Sequence, residues 1–491
     1  MKEIGWQPAA TPDKAIELLQ EMFERNCGAL KSAFEAYVRN GTFPDDRASW
    51  CYPALRIEYL PEGPVPPISA AFGKMASPGI YQSAITRPAL YADYLKAQLE
   101  LITKRYEVAL SVGPSGEEIP YPYVLGGQVE IDSEKIPPAE LATVFPTPDL
   151  AELDDDIADG KHSTAKSLSG KHRGLKPLSL FTALRTDYSL QRLKHYTGTE
   201  AADFQDFILF TNYHRYMDAF VEIALGKVAE GKEYESFVAP GGIMATDNKP
   251  ETIAALQGGE WRRFQMPAYH LKTKDRKGIS LINIGVGPSN AKTITDHLAV
   301  LRPQCWIMVG HCGGLRHSQR LGDYVLAHAY LRRDQVLDSV LPADIPVPPI
   351  AEIQTTLTEA ASRVTGDSGA DLKRRLRTGT VVTHADRNWE LRFEDEGRVL
   401  DLARAVGIDM ESATVAANGY RFRVPYGTLL CVSDKPLHGE IKLPGAANRF
   451  YEKSIGEHIR IGIEALEMFR RDGSAALHSR KLRSFDEPPF R

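Results

Sequence analysis

Cysteine is scarce in this 491-residue chain: Cys27, Cys51, Cys305, Cys312 and Cys431 are all it has. The number is odd and no two form C-x-x-C, which argues against a disulfide framework or a cysteine zinc site and for a reducing compartment. His311 next to Cys312 is poor metal-ligand spacing for one element, so no metal is expected. Long apolar runs are also missing. No stretch approaches the roughly 18 uninterrupted apolar residues of a membrane span. The opening MKEIGWQPAATPDK has a lysine but no apolar h-region, so no signal peptide is read there. Neither sign of charge dominates: 59 Lys and Arg against 64 Asp and Glu leave −5. That excludes a strongly basic footprint for nucleic acid. Internal repeats and low-complexity tracts are absent. The expectation is a cytoplasmic protein with neither a membrane nor a nucleic acid as partner.

What is present is ordinary globular material, 43% hydrophobic and 25% charged. A chain of this length buries a core that needs no disulfide. Its length predicts two to four domains at about 150 residues each. Thr11-Pro12-Asp13 starts a helix, with Thr11 as N-cap and Pro12 in the first turn, and Asn40-Gly41 ends it. Leu55 to Leu60 alternates with period two, and Ala89 to Leu101 reads as a second helix. An acidic run, Asp154-Asp155-Asp156, leads into basic residues from Lys161 to Arg173, read as a solvated linker, with a mobile phosphate-binding flap as the sharper alternative. Leu178 to about Gly226 reads as helical, including Phe207 to Phe210. From Ile279 the pattern changes to apolar strands alternating with helices: 279–284, 305–309, 324–327, 378–383 and 426–432 are strands, and 289–301 is a helix. The fold class is α/β: a mixed, largely parallel sheet flanked by helices, behind an N-terminal α+β domain. The boundary is placed at 176, giving domains 1–176 and 177–491.

Four short segments lie where such sheets bind ligands, at the carboxyl ends of strands. Gly285-Val286-Gly287-Pro288-Ser289-Asn290 is a glycine turn between a strand and a helix, whose N–H groups can face an anion. It is neither a Walker loop nor a complete dinucleotide fingerprint. Val309-Gly310-His311-Cys312-Gly313-Gly314 lets a flat ligand lie close to the backbone. Asp409-Met410-Glu411-Ser412 offers a carboxylate able to accept from two vicinal hydroxyls. Cys431-Val432-Ser433-Asp434 sets an acid just past a buried strand. Taken singly, each is equally satisfied by a structural turn or a helix cap.

Together and in this order, the four resemble the purine nucleoside phosphorylase and nucleosidase superfamily over about Gly278 to Phe469. Three further segments resemble the one that precedes this core in AMP nucleosidases. They are Arg185 to Leu190, Leu193 to Thr199, and Phe210-Thr211-Asn212-Tyr213-His214. That family also carries an extra N-terminal domain of this size. The resemblance implies hydrolysis of AMP to adenine and ribose 5-phosphate. Asp434 is the implied acid at purine N7, with Arg449 acting beside it. Glu411 and Met410 hold the ribose. Cys312, Gly313 and Ser433 line the purine side, and Gly287 and Asn290 belong to the glycine loop. It further implies a homohexamer, no cofactor for the chemistry, and MgATP as allosteric activator through the N-terminal domain.

Departures from the pattern point to water as nucleophile. The arginine that grips phosphate in the first loop of hexameric phosphorylases is matched by Asn290, a second arginine by Met308, and a serine by His311. A first-loop glutamate of methylthioadenosine nucleosidases has no counterpart, so the group that activates water stays unnamed. His270 has the spacing of a histidine that reaches a neighbour's sugar. With Arg or Tyr side chains of 185–215 it is expected to read the 5′-phosphate, the alternative being a solvated loop residue. Two other functions stay open. One is a phosphorylase or nucleosidase for unphosphorylated purine nucleosides; the other is a nucleotide sensor without chemistry.

Overall fold

The computed structural model describes residues 5–44, 47–62, 75, 77–125, 136–161, 174–440, 446–473, 477, 482–484 and 487–490. The basic stretch 162–173, the core of the suggested phosphate flap, lies outside them. By packing, the chain divides into one unit of residues 1–191 with 483–491 and another of 192–482. The division falls inside a helix, at 191/192, fifteen residues beyond the composition shift used to divide the sequence. No helix among the described residues is long and apolar enough to cross a membrane.

The first unit begins with β1 (Gln7–Ala9) and α1 (Pro12–Asn40). The helix starts as its sequence predicts. Thr11 is extended, and its hydroxyl accepts from the Lys14 N–H at 3.2 Å. Gly41 ends it in the left-handed region, its N–H on the Tyr37 carbonyl. Next come β2 (Cys51–Tyr59), β3 (Gly79–Ala84), α2 (Ala92–Thr103), β4 (Ala109–Glu118), α3 (Tyr121–Leu125), α4 (Pro138–Val144), β5 (Lys176–Pro177) and α5 (Ala183–Thr197). The strands form one sheet in the order β1-β4-β2-β3-β5, antiparallel except for β3 with β5. Ala15, Leu18, Leu19 and Met22 of α1 join Leu55, Ile57 and Val112 of the sheet in a core. Phe34, Trp50, Tyr52, Tyr121 and Phe145 form a second, aromatic cluster. Buried Asp187 on α5 accepts from Tyr52 Oη at 2.8 Å, Thr86 Oγ1 at 2.9 Å and Arg87 Nε at 3.1 Å; these donors offset only part of the cost of burial, which still pushes its carboxyl up.

The second unit runs β6 (Phe207–Thr211), α6 (Arg215–Ala229), β7 (Ser236–Ala239), β8 (Ile243–Ala245), α7 (Pro250–Gln257), β9 (Ala268–Lys272), β10 (Ile279–Asn283) and α8 (Pro288–Leu298). It continues with β11 (Cys305–Gly314), β12 (Tyr324–Arg333), α9 (Ala351–Thr365), α10 (Gly369–Arg375), β13 (Leu376–His384), α11 (Phe393–Leu402), β14 (Ala405–Asp409), α12 (Ser412–Phe422), β15 (Tyr426–Asp434) and α13 (Ala446–Asp472). Ten strands make one mixed sheet, ordered β14-β13-β12-β15-β11-β6-β10-β9-β7-β8. β14 also pairs with β11, which closes β11, β15, β12, β13 and β14 on themselves. Parallel pairing runs from β15 through β11 and β6 to β10, while β9, β7 and β8 extend the edge antiparallel. Helices α6 and α13 pack together, as do α8 and α12.

One expectation is corrected here. Phe207 to Phe210 is not helical: Phe207–Thr211 is strand β6, buried at all five positions between β10 and β11. A short, continuously apolar run satisfies strand and buried helix equally, and covering on both faces decides it here.

Candidate active site

Parallel strands present their carboxyl ends together. Those of β6, β10, β11 and β15 bring Asn212, the 285–287 loop, the 310–314 turn and Asp434 to one end of the sheet. Glu411 arrives there as the N-cap of α12, just after β14. It is 0% exposed. Its Oε1 accepts from the Gly287 N–H at 2.6 Å and its Oε2 from Asn212 Nδ2 at 2.8 Å. These two donors lie 124 and 199 residues from it in sequence. Burial, and then the charge of Asp409, push the Glu411 carboxyl up to about 8.

Local structure explains this placement. Gly287 has φ +110, a region that side chains other than glycine rarely adopt, and this conformation caps α8 while its N–H serves Glu411. Asp409 clamps the start of α12. It accepts from Thr383 Oγ1 at 2.6 Å, from the Ser412 N–H at 2.9 Å and, more closely still, from the Ser412 hydroxyl. Gly310 is tightly surrounded for a different reason. A Cβ there would lie 3.2 Å from Asn212 Oδ1 and 3.0 Å from Met308 Cε. The glycine of the V-G pair thus makes room for the amide that holds Glu411.

Asp434 is the last residue of β15, paired in register with Gly313, and it is half-buried. Ser433 Oγ donates to Asp434 Oδ1 at 2.6 Å and lies 3.4 Å from the Cys312 carbonyl. Cys312 and Ser433 are buried, while Met410 and Gly313 are half-buried. Asn290 turns its amide back onto its own loop, Nδ2 to the Val286 carbonyl at 3.4 Å. Met308 is wholly buried in β11. Arg449 falls in the first turn of α13, and its side chain lies outside the described residues.

His270 is a correction. It is neither a loop residue nor near the strand ends. It sits in β9 opposite Ser280, toward the start of β10, and is 0% exposed. Its Nδ1 bonds Ser280 Oγ at 2.7 Å and its Nε2 bonds Thr199 Oγ1 at 2.9 Å. Burial holds it down to about 3, so the ring is neutral. With both nitrogens engaged inside the unit, it has nothing to offer a phosphate.

Asn212, Thr383 and Asp409 were not singled out from sequence as site residues. Asn212 carried a usable signal, since it directly follows an apolar run, but only once that run is recognised as a strand. Among the described residues, no group of three or more His, Cys, Asp or Glu is placed to hold a metal ion.

Comparison with known proteins adds to this geometry. Residues 14–168 match the family described as bacterial AMP nucleoside phosphorylase N-terminus, and residues 251–462 match the phosphorylase superfamily. The chain is 52% identical over 486 residues to the AMP nucleosidase of Escherichia coli (strain K12), covering 98% of each. It is 24% identical over 164 residues to a 5′-methylthioadenosine/S-adenosylhomocysteine nucleosidase of Haemophilus influenzae (strain PittGG), covering 32% of this chain and 69% of that protein. The crystal structure of AMP nucleosidase from Bacteroides thetaiotaomicron VPI-5482 is 28% identical and covers 58% of this chain and 98% of its own, with a TM-score of 0.44.

Proposed function

The chain belongs to the AMP nucleosidase family, and from that premise we propose that its second unit cleaves the N-glycosidic bond of AMP with water, giving adenine and ribose 5-phosphate. The observation that carries this reading is the buried Glu411 carboxylate, held from both sides at the strand ends that also present Asp434.

Breaking the bond between N9 and C1′ builds positive charge on the ribose ring and negative charge on the purine. Glu411 answers the first. Each of its oxygens accepts one protein hydrogen bond and keeps a second lone pair for a ribose hydroxyl. Those bonds tighten as the ring becomes cationic. Asp434 answers the second by donating to N7, with Ser433 fixing its carboxyl and Arg449 acting beside it. Met410 packs against the sugar, and the backbone at Cys312 and Gly313 takes the face of the base.

Hydrolysis is favoured over phosphorolysis by what the positions matching the phosphorylase clamp contain in this chain. Met308 is an apolar side chain inside a strand, and the Asn290 amide is turned onto its own loop. Neither supplies a cation to a nucleophilic phosphate. The homohexamer, activation by MgATP through the N-terminal unit, chemistry without a cofactor, and a cytoplasmic location belong to the same proposal and rest on the resemblance.

The test is a substrate panel on the purified chain: AMP and adenosine, each with and without phosphate. Adenine released from AMP regardless of phosphate, and lost in Asp434→Asn, is the expected result. Cleavage of adenosine that depends on phosphate would replace hydrolase by phosphorylase. AMP binding without turnover would leave a sensor.

A further inference from the structure

The aim of Glu411 depends on a contact between two helix starts. Gly287 caps α8, Glu411 caps α12, and the Gly287 N–H meets Glu411 Oε1 at 2.6 Å. A slide of one helix along the other by about 1 Å takes such a bond past its normal range. Asp409 fixes the start of α12 against β13 through Thr383. The tie between α12 and α8 lies further along both helices.

Asn418 sits on α12 about two turns beyond Glu411 and is wholly buried. Its Nδ2 donates to Thr295 Oγ1 at 2.8 Å and to Asp296 Oδ1 at 2.8 Å, both on α8. A carboxylate can only accept, so the nitrogen end of the amide faces α8. About one turn further along α12, Arg421 Nη1 lies 3.3 Å from the same Asp296 Oδ1. Lys292 Nζ, on α8 itself, meets the other oxygen at 2.5 Å. The Asp296 carboxylate is therefore paired from both helices. The Asn418 Oδ1 is buried and has no hydrogen-bond partner among the described residues. An amide left half-satisfied in the interior is less favourable there than an apolar side chain of similar size. Packing alone leaves the slide loosely set, because α12 carries many small residues, among them Ala413, Ala416, Ala417 and Gly419, whose ridges are shallow. Directional hydrogen bonds to α8 set it instead.

We propose that Asn418, acting with Asp296, is a positioning residue for Glu411. The pair fixes the register of α12 on α8 and so holds the Gly287 N–H against the carboxylate. This rests on the reading of Glu411 as the group that holds the ribose hydroxyls of AMP. No bond or proton changes hands at Asn418. Its effect reaches the substrate only through the two helix starts.

The experiment measures kcat and KM of the full chain for AMP and for 2′-deoxy-AMP, with thermal melts, for Asn418→Leu and Asn418→Ala. Leucine fills about the same space and leaves Asp296 paired with Lys292 and Arg421. kcat/KM for AMP is expected to fall about tenfold, the worth of one hydrogen bond, with most of the loss in kcat. The preference for AMP over 2′-deoxy-AMP is expected to shrink by a similar factor, because a displaced Glu411 meets the 2′-hydroxyl less well. A merely structural role would lower the melting temperature and leave that preference intact. If Asn418→Leu does not fold, Asn418→Ala, which adds no bulk, decides. A folded variant with wild-type kcat/KM, or one that loses rate equally on both substrates, overturns the assignment while the AMP hydrolase reading stands. Failure of the wild-type protein to cleave AMP overturns that reading, and this inference falls with it.

Discussion

Asn212→Ala would remove one of the two donors that aim Glu411. The amide donates at 2.8 Å to a carboxylate that is 0% exposed, so water has no easy access to replace it. Above pH 8, where the Glu411 carboxyl is ionised, a hydrogen bond to a charged group contributes about 1.5–3 kcal/mol, which corresponds to about 10- to 150-fold at 1.4 kcal/mol per decade. Part of that loss falls on the transition state, where the ribose bonds strengthen. The assay is kcat/KM for AMP and for 2′-deoxy-AMP on wild type and variant, a four-way cycle. Wild type is expected to discriminate strongly against the deoxy substrate, because Glu411 then faces one hydroxyl fewer. In Asn212→Ala the AMP value should fall by the stated factor and the discrimination should shrink, since the carboxylate is no longer held to meet the hydroxyl. A variant within twofold of wild type on AMP, with discrimination intact, would refute the role given to Asn212 and weaken that of Glu411.

Other consequences follow from the same contacts. Gly310→Ala puts a Cβ 3.2 Å from Asn212 Oδ1 and should lower kcat/KM, an effect that Asn212→Ala should relieve in the double variant. Because Glu411 is pushed up to about 8, the folded chain keeps a proton that the unfolded chain releases near 4.5, so this residue lowers stability as pH rises between those values. Thermal melts of Glu411→Gln should show that the variant gains on wild type across this window, while losing activity at every pH. AMP cleavage by wild type should rise toward pH 8 as the Glu411 carboxylate forms, and a flat kcat from pH 6 to 9 would contradict its role. His270→Ala removes one buried hydrogen bond each from Ser280 and Thr199, which keep the Gln205 N–H and Thr197 Oγ1 as partners, and should cost on the order of 2 kcal/mol in denaturant melts with the preference for AMP over adenosine unchanged.

Much of the catalytic unit was legible because its signals are local. β10, β11 and β15 are apolar runs ended by glycine or an acid, and the strand ends of a parallel sheet are where ligands gather. The cap residues of α1 fixed both of its ends. The contact of Glu411 with Gly287 and Asn212 was not legible, because it joins segments more than a hundred residues apart through tertiary packing. β6 was misread because a five-residue apolar run has no period to read, and with it went the meaning of Asn212. His270 was misplaced because spacing before a strand does not reveal antiparallel pairing, which turns its ring onto Ser280 in the interior.

The most direct measurement is the identity of the phosphorylated sugar formed from AMP, followed by ³¹P NMR with and without inorganic phosphate. Ribose 5-phosphate with adenine in both conditions is the predicted result, because Met308 and Asn290 supply no cation for a phosphate nucleophile. Ribose 1,5-bisphosphate appearing only when phosphate is present would contradict it.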